Sequence, residues 1–425
     1  MIDSRKSIWS WALYDWANSA FATTVMAGFF PLFFKAYWAN QSNVTESTFY
    51  LGLANSTASI IVAAIAPFLG AIADRGTAKK KFLTLFIFLG VVSTGCLWMV
   101  QQGHWQLAAT LYVLATIGFS GGNIFYDSLL PGVATKKKVD YASSLGFSLG
   151  YLGGGLLFAV NVFMFQKPAL FGIPDQPTAI KLSFLSVAVW WAVFSIPVWL
   201  WVKEPKIYKP IGIVEAFRQG FGQIRDTLKE TRHLKVVGLF LAAFWLYIDG
   251  VDTIIRMAVD YGISIGFPAS SLILALLLVQ FVAFPATLLF AWVAGKIGAK
   301  QAILFAIFAY SCITILGAFM TQQWHFYTLA VMIGFFQGGI QAISRSLYSR
   351  IIPPEKSAQF YGLYNMMGKF AAVIGPALMG TITLISGSNR VGILSILILF
   401  VSGFIILLKV NIKEGEEMAA KYLSS

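Results

Sequence analysis

The sequence predicts an all-α membrane protein of twelve transmembrane helices, arranged as two pseudo-symmetric six-helix halves. Three observations carry the prediction: an apolar composition, a regular series of apolar runs, and an internal repeat. Hydrophobic residues make up 58% of the 425 residues and charged ones only 12%, with a mean hydropathy of +0.73. A soluble domain needs a more charged surface to stay in water. One crossing of the hydrocarbon core takes roughly 20 apolar residues, so this length holds about twelve of them and no sizeable soluble domain.

The runs follow in order. Arg5 and Lys6 precede the first, 8–36, which is too long for the apolar core of a signal peptide and reads as an uncleaved span. Five more lie near 48–73, 82–101, 106–133, 142–166 and 180–202, completing an N-terminal half over 1–202. The fifth carries Gly146, Gly150 and Gly154, a small-residue ladder that permits close helix contact. A polar stretch at 203–235 reads as a linker, with an amphipathic pattern through Ile213, Val214, Phe217, Phe221 and Ile224 that suits anionic lipid. Runs near 236–263, 269–294, 301–321, 326–351, 358–386 and 391–410 make the C-terminal half, 236–411, and 412–425 is a tail. Trp9, Trp11 and Trp38 fit the aromatic belt of a membrane interface. Cys96 and Cys312 sit in apolar runs, give no disulfide framework and read as packing residues.

Charge orients the bundle. Most of the 31 basic residues cluster at Arg75/Lys79/Lys80/Lys81, Lys136/Lys137/Lys138, 203–235, Lys296/Lys300, Arg350/Lys356 and the tail. The opposite loops hold only Lys35, Lys167, Lys181 and Arg390. The positive-inside bias then puts both termini in the cytoplasm, and a bacterial inner membrane is the expected location. The net charge of +13 therefore belongs to topology rather than to nucleic-acid binding.

The halves echo each other. Leu13-Tyr14-Asp15 returns as Leu246-Tyr247-Ile248-Asp249, Gly118-Phe119 with Gly121-Gly122 as Gly334-Phe335 with Gly338-Gly339, and Ala142/Gly146 as Ala358/Gly362. The segment Ala73 to Lys79 returns as Ala294 to Lys300. All the matches keep one order, as a duplicated fold requires. Two halves joined by a linker can rock about a central site.

Gly70, Asp74-Arg75 and Lys79-Lys80-Lys81 between the second and third runs resemble the signature loop of the major facilitator superfamily. The resemblance implies that this loop latches the cytoplasmic ends of the halves. Thr77 stands where a second glycine is usual, and Gly295 replaces the acid in the second copy, so a weaker latch is expected there. Tyr14-Asp15-Trp16-Ala17-Asn18-Ser19-Ala20-Phe21, Tyr247-Ile248-Asp249-Gly250-Val251, Ser344-Arg345-Ser346-Leu347 and Tyr361-Gly362-Leu363-Tyr364-Asn365 with Gly368-Lys369-Phe370 are similar to the autophagy-related vacuolar amino-acid effluxer branch and its bacterial relatives. That likeness implies amino acids or small peptides as solutes.

The candidate site is read from charge inside the spans. A charge at the bilayer centre costs about 2.5 kcal/mol or more, so it survives only facing protein or water. Asp15, Asp127, Asp249, Asp252, Arg256, Arg345 and Lys369 are such residues. Asp249, Asp252, Arg256 and Asp260 share one helical stripe in the seventh run, and Gln337, Gln341 and Arg345 form another in the tenth. Asp252 and Arg256 are spaced to pair with each other. The remaining acids then outnumber Arg345 and Lys369, leaving a carboxylate free to carry a proton, with Asp15 or Asp127 the favoured carrier. Arg345 and Lys369 are candidates for a solute carboxylate or phosphate, or for neutralising the acids. Tyr14, Asn18, Tyr126 and Asn365 complete the candidate set.

The function expected is a secondary carrier for a small polar or zwitterionic solute, with a proton as coupling ion, no cofactor, and the lipid bilayer around a monomer. A sugar, a drug-like amphiphile, a lysolipid, and a non-transporting sensor or scramblase stay open as alternatives. An enzyme is not expected. Gly118-Phe119-Ser120-Gly121-Gly122 mimics a nucleophile motif, but His104, His233 and His325 fall in loops or at interfaces, leaving no base beside it. No metal-ligand spacing is present.

Overall fold

A computed structural model describes residues 2–39, 50–51, 53–55, 57–62, 64–66, 79–204, 235–264 and 269–421. Within its helices the side chains of 256, 258–260, 263–264, 269–270, 272–273, 369–373 and 421 are outside the description. The described chain is helical throughout. In order, the helices are α1 (Arg5–Trp38), α2 (Leu53–Ala66), α3 (Lys79–Met99), α4 (Trp105–Val133), α5 (Val139–Gln166), α6 (Gln176–Trp201), α7 (Lys235–Ser264), α8 (Ala269–Ile297), α9 (Ala299–Ala318), α10 (Gln323–Ile351), α11 (Ser357–Ser386) and α12 (Asn389–Leu408). A short amphipathic helix, α13 (Ile412–Lys421), follows and packs near Val236 and Ile351 through Gly415.

Among the described residues ten helices are long and apolar enough to cross a membrane, against twelve expected. The other two lie where the second and eleventh runs were expected. For α2 the stretch 67–78 is outside the described residues. For α11 the side chains of 369–373 are outside the description, and the described apolar stretch there is Ile374–Ser386.

Local sequence fixes the helix ends. Ser4 caps α1 by accepting from the Ser7 N–H at 3.1 Å, and Asp175 caps α6 by accepting from the Thr178 N–H at 2.7 Å. Helix α1 opens into π-helical turns over Phe21–Phe29 and Phe34–Trp38, a distortion often found at functional sites. Large apolar side chains such as Phe88, Val160, Val189, Trp292, Phe308 and Ile398 point outward, as a lipid-facing surface requires. Buried apolar side chains gather in two large clusters and a small one of Met164, Ile173 and Ala179. One large cluster runs from Ile8 to Val202 and includes Ala358; the other runs from Val236 to Val410.

Two tryptophans expected at the interface lie elsewhere. Trp11 and Trp38 are fully buried, and only Trp9 of the three is exposed. Trp11 stacks on Tyr126 with ring centroids 4.3 Å apart, so the first turns of α1 face protein rather than lipid headgroups.

Both ends of the described chain lie at one end of the bundle. Asp3 bonds to Thr135 beyond α4, and α13 covers the start of α7 and the end of α10. At this end the copied loop signature has two distinct uses. Lys80 donates to the last carbonyls of α6, Trp199 at 2.7 Å and Val202 at 2.8 Å. Lys300 does the same for α12, reaching Leu408 and Val410, each at 2.8 Å. A cation satisfying the orphan carbonyls of a helix C-terminus is favourable there. Lys79 instead reaches across the halves to Ser357 Oγ at 2.7 Å, which in turn donates to the Ser128 carbonyl. Gly70, Asp74 and Arg75, the rest of the expected gate loop, lie outside the described residues.

Candidate functional site

The site forms where α1, α4, α5, α10 and α11 meet. Arg345 of α10 is 3% exposed and sits opposite two acids from the other half. Its Nη1 donates to Asp127 Oδ1 at 3.0 Å and its Nη2 to Asp15 Oδ2 at 3.2 Å. Ser143 of α5 takes the rest of the fork: Nε donates to its hydroxyl and Nη2 to its carbonyl, both at 2.9 Å. Aromatic rings cover the guanidinium, Phe147 at 4.2 Å, Trp11 at 4.8 Å and Tyr126 at 5.4 Å. Such stacking suits a planar, weakly hydrated cation better than an ammonium. A buried charge is tolerable only when paired and hydrogen-bonded in this way.

The acids are held from several sides. Tyr126 donates its hydroxyl to Asp15 Oδ2 at 2.8 Å, and Asn365 of α11 donates to Asp127 Oδ2 at 3.2 Å. Tyr361 of α11 braces the arginine's own carbonyl at 3.0 Å. The close approach depends on Gly146, where a Cβ would fall 3.0 Å from both Arg345 Nη2 and the Tyr126 hydroxyl, and nearer still to Asp15. Gly150 and Gly154 lie along α1 beside Ser19 and Thr23, so the ladder serves helix packing and, at Gly146, the site itself.

Further cross-half bonds continue toward the end bearing the termini. Ser143 donates to the Ala342 carbonyl at 2.7 Å. Asp140 accepts from Ser346 at 2.6 Å and forms an ion pair with Arg350. Beyond the arginine on the other side, a cavity of ≈490 Å³ extends between the halves. Pockets that hold small molecules run from roughly 300 to 1,000 Å³. Asp15, Asn18, Tyr126, Asp127, Asp252, Gln337, Gln341, Arg345 and Asn365 line it, all from the sequence-derived set.

Two members of that set are set back from the cavity. Asp249 is 1% exposed and accepts the Gly375 N–H with both oxygens at 3.0 Å. Pro376 follows that amide within α11. Tyr14 is fully buried behind Asp15, its hydroxyl against Gly122. The side chains of Arg256 and Lys369 are outside the described residues, so the expected Asp252–Arg256 pair is too. Sequence reading missed Ser143, Trp11, Phe147 and Tyr361. A serine or aromatic residue in a span carries no distinctive signal, and only Arg345's position selects these four.

A family model described as vacuole effluxer Atg22 like matches residues 3–49 and 37–420. The chain belongs to this Atg22-like family. An uncharacterized MFS-type transporter, YxiO of Bacillus subtilis, is 37% identical over 402 residues, covering 94% of this chain and 93% of that one. Autophagy-related protein 22 of Yarrowia lipolytica is 24% identical and covers 83% of this chain and 74% of its own length. The proton:xylose symporter XylE superposes with a TM-score of 0.72 at 14% identity, covering 98% of both chains. FucP in its outward conformation gives 0.70 at 13% identity, over 96% of this chain and 100% of its own. The major facilitator fold expected from the sequence is thus established, and this family member is a multi-pass integral membrane transporter of that superfamily.

Proposed function

We propose that the protein is a secondary active transporter that moves a small polar or zwitterionic solute, an amino acid or small peptide first, by alternating access coupled to protons. The observation that carries this reading is the Arg345 triad. It bridges the two halves at one end of the cavity, so the cavity is closed toward the termini where these bonds form. Opening that end must pull Arg345 away from Asp15 and Asp127. Two acids without their cation are costly in a low-dielectric site, and a proton removes the cost. The mixed polar lining supports a zwitterion, and the vacuole-effluxer description of the family supports an amino acid. The basic clusters support a cytoplasmic placement of the termini in a bacterial inner membrane. We assign the chain no catalytic role, and its unit of function is a monomer.

The far wall of the cavity favours a second reading. Ile248, Ile254, Met257, Ile313, Leu329 and Ile333 make it apolar, which suits a drug-like amphiphile. The test of the first reading uses a background with Cys96 and Cys312 replaced by serine, carrying Asp140→Cys and Ser346→Cys. Purified protein in liposomes is assayed for counterflow of labelled amino acids, oxidised and then reduced. Loss of exchange on oxidation and its return on reduction are expected. Equal exchange in both states would remove alternating access about this end. Exchange of an amphiphile alone would favour the second reading.

A further inference from the structure

Two carboxylates, Asp15 and Asp127, share the one guanidinium of Arg345 at the cavity wall. Four of the five N–H groups of Arg345 are taken by Asp127, Asp15 and the two Ser143 acceptors, and rings lie over the guanidinium. Tyr126 gives its proton to Asp15 and Tyr151 gives its own to Gln341 at 2.8 Å. Asp15 Oδ1 takes no hydrogen bond from the described residues, while Oδ2 takes two. Asn18, one turn along α1, uses its amide to donate to Asn123 at 2.7 Å, which leaves its carbonyl oxygen. Gln337 Oε1 is buried, borders the cavity and has no partner among the described residues. A cavity bordered by two carboxylates that share one guanidinium, one of them with an oxygen that takes no hydrogen bond from the described residues, calls for a positively charged ligand.

Resting on the transporter reading above, we propose that the solute is recognised by an ammonium group seated against Asp15, with its carboxylate not read by Arg345. The same carboxylate takes the coupling proton, so ammonium and proton exclude each other and the protein exchanges protons for amine-bearing solutes. The groups around Asp15 agree with one shared charge. Arg345 faces it from α10, and Tyr126 and Asp127 from α4. At its contact α5 presents Gly146 and Gly150, and α6 packs on α1 through Trp190 and Trp191. Tyr14 adjoins it on α1, Tyr361 and Tyr364 stand on α11, and Asp252 and Tyr151 line the cavity farther off. The guanidinium balances one of the two neighbouring acids; either a proton or an ammonium balances the other.

The test uses the full chain purified in detergent, in weak buffer with a pH indicator, with phenylalanine, phenylalaninamide, phenethylamine and N-acetylphenylalanine as probes. The phenyl group suits the apolar wall. The first three are expected to bind and to release up to about one proton per solute, by linkage. N-acetylphenylalanine is expected to bind at least about tenfold more weakly, since it lacks the charged donor. Asp15→Asn is expected to lose the proton release, and Asp15→Glu to keep it with a shifted pH profile. Binding of phenylalanine and its N-acetyl derivative but not the amide would overturn the proposal and leave the transporter reading intact, as would proton uptake on binding. If none of the four binds, the amino-acid reading falls and the proposal with it.

Discussion

Asp15 in α1 and Asp249 in α7 come from the same repeated motif, yet the two halves use them differently. Asp15 reaches out of its half to Arg345, at the wall of the cavity. Asp249 stays inside its half, accepting from the Gly375 amide of α11. The tyrosines beside them differ in the same sense. Tyr247 shares a hydrogen with Ser344 at 2.7 Å, both within the C-terminal half, whereas Tyr14 backs the cross-half acid. A duplicated motif thus supplies one acid that bonds across the halves and one that bonds within its own half.

This contrast breaks first at the arginine. Arg345→Met leaves two buried carboxylates without their cation and should cost about 3–5 kcal/mol, read as a shift in denaturation in detergent. Adding Asp15→Asn and Asp127→Asn should recover most of that loss. A single variant that unfolds like the parent would mean that the triad adds nothing. Asp249→Asn tests the other half. Losing a charge-assisted bond should cost about 1.5–3 kcal/mol, while the affinity of the folded fraction for solute is unchanged. A large fall in affinity would place Asp249 with Asp15 after all.

The glycines sharpen the comparison further. A Cβ on Gly118 would lie 2.5 to 2.8 Å from backbone atoms of Gly90 and Phe86, which cannot easily yield. Its counterpart Gly334 meets Val282 Cβ at 3.0 Å and the Val279 carbonyl at 3.1 Å, and has more room. Gly118→Ala should therefore destabilise by about 1–3 kcal/mol and Gly334→Ala by less, measured in the same detergent. The reverse order would show that α4 packs more loosely than α10. The smallest effect should be the most symmetric one. Lys80→Met and Lys300→Met each remove a helix-end cation and should each cost about 0.3–1 kcal/mol. Clearly unequal losses would end the equivalence of the two caps.

Much of the site was legible because it follows helical periodicity. The stripe of Gln337, Gln341 and Arg345 lies on the cavity as the spacing predicted, and Asp15 and Asn18 do likewise on α1. Trp11 was misread because a tryptophan near a span end looks the same whether it meets headgroups or a buried guanidinium. Asp249 could not be distinguished from Asp15, since both are acids after a tyrosine in an apolar run. Ser143 gives no signal until Arg345 is beside it.

The sequence by itself determined the membrane class, nearly every span, the duplicated order and the few charges a bilayer should not tolerate. Those properties depend on hydropathy and on the 3.6-residue repeat, which are local. Tertiary structure alone decided that one arginine serves two acids at the cavity wall, and that Lys80 caps a helix while Lys79 bridges the halves. Partners are chosen by the register between helices, which depends on contacts such as Gly146 on α1 and Gly118 on α3, far apart in the chain. A short-range pattern fixes which face a charge occupies; only packing fixes what stands opposite.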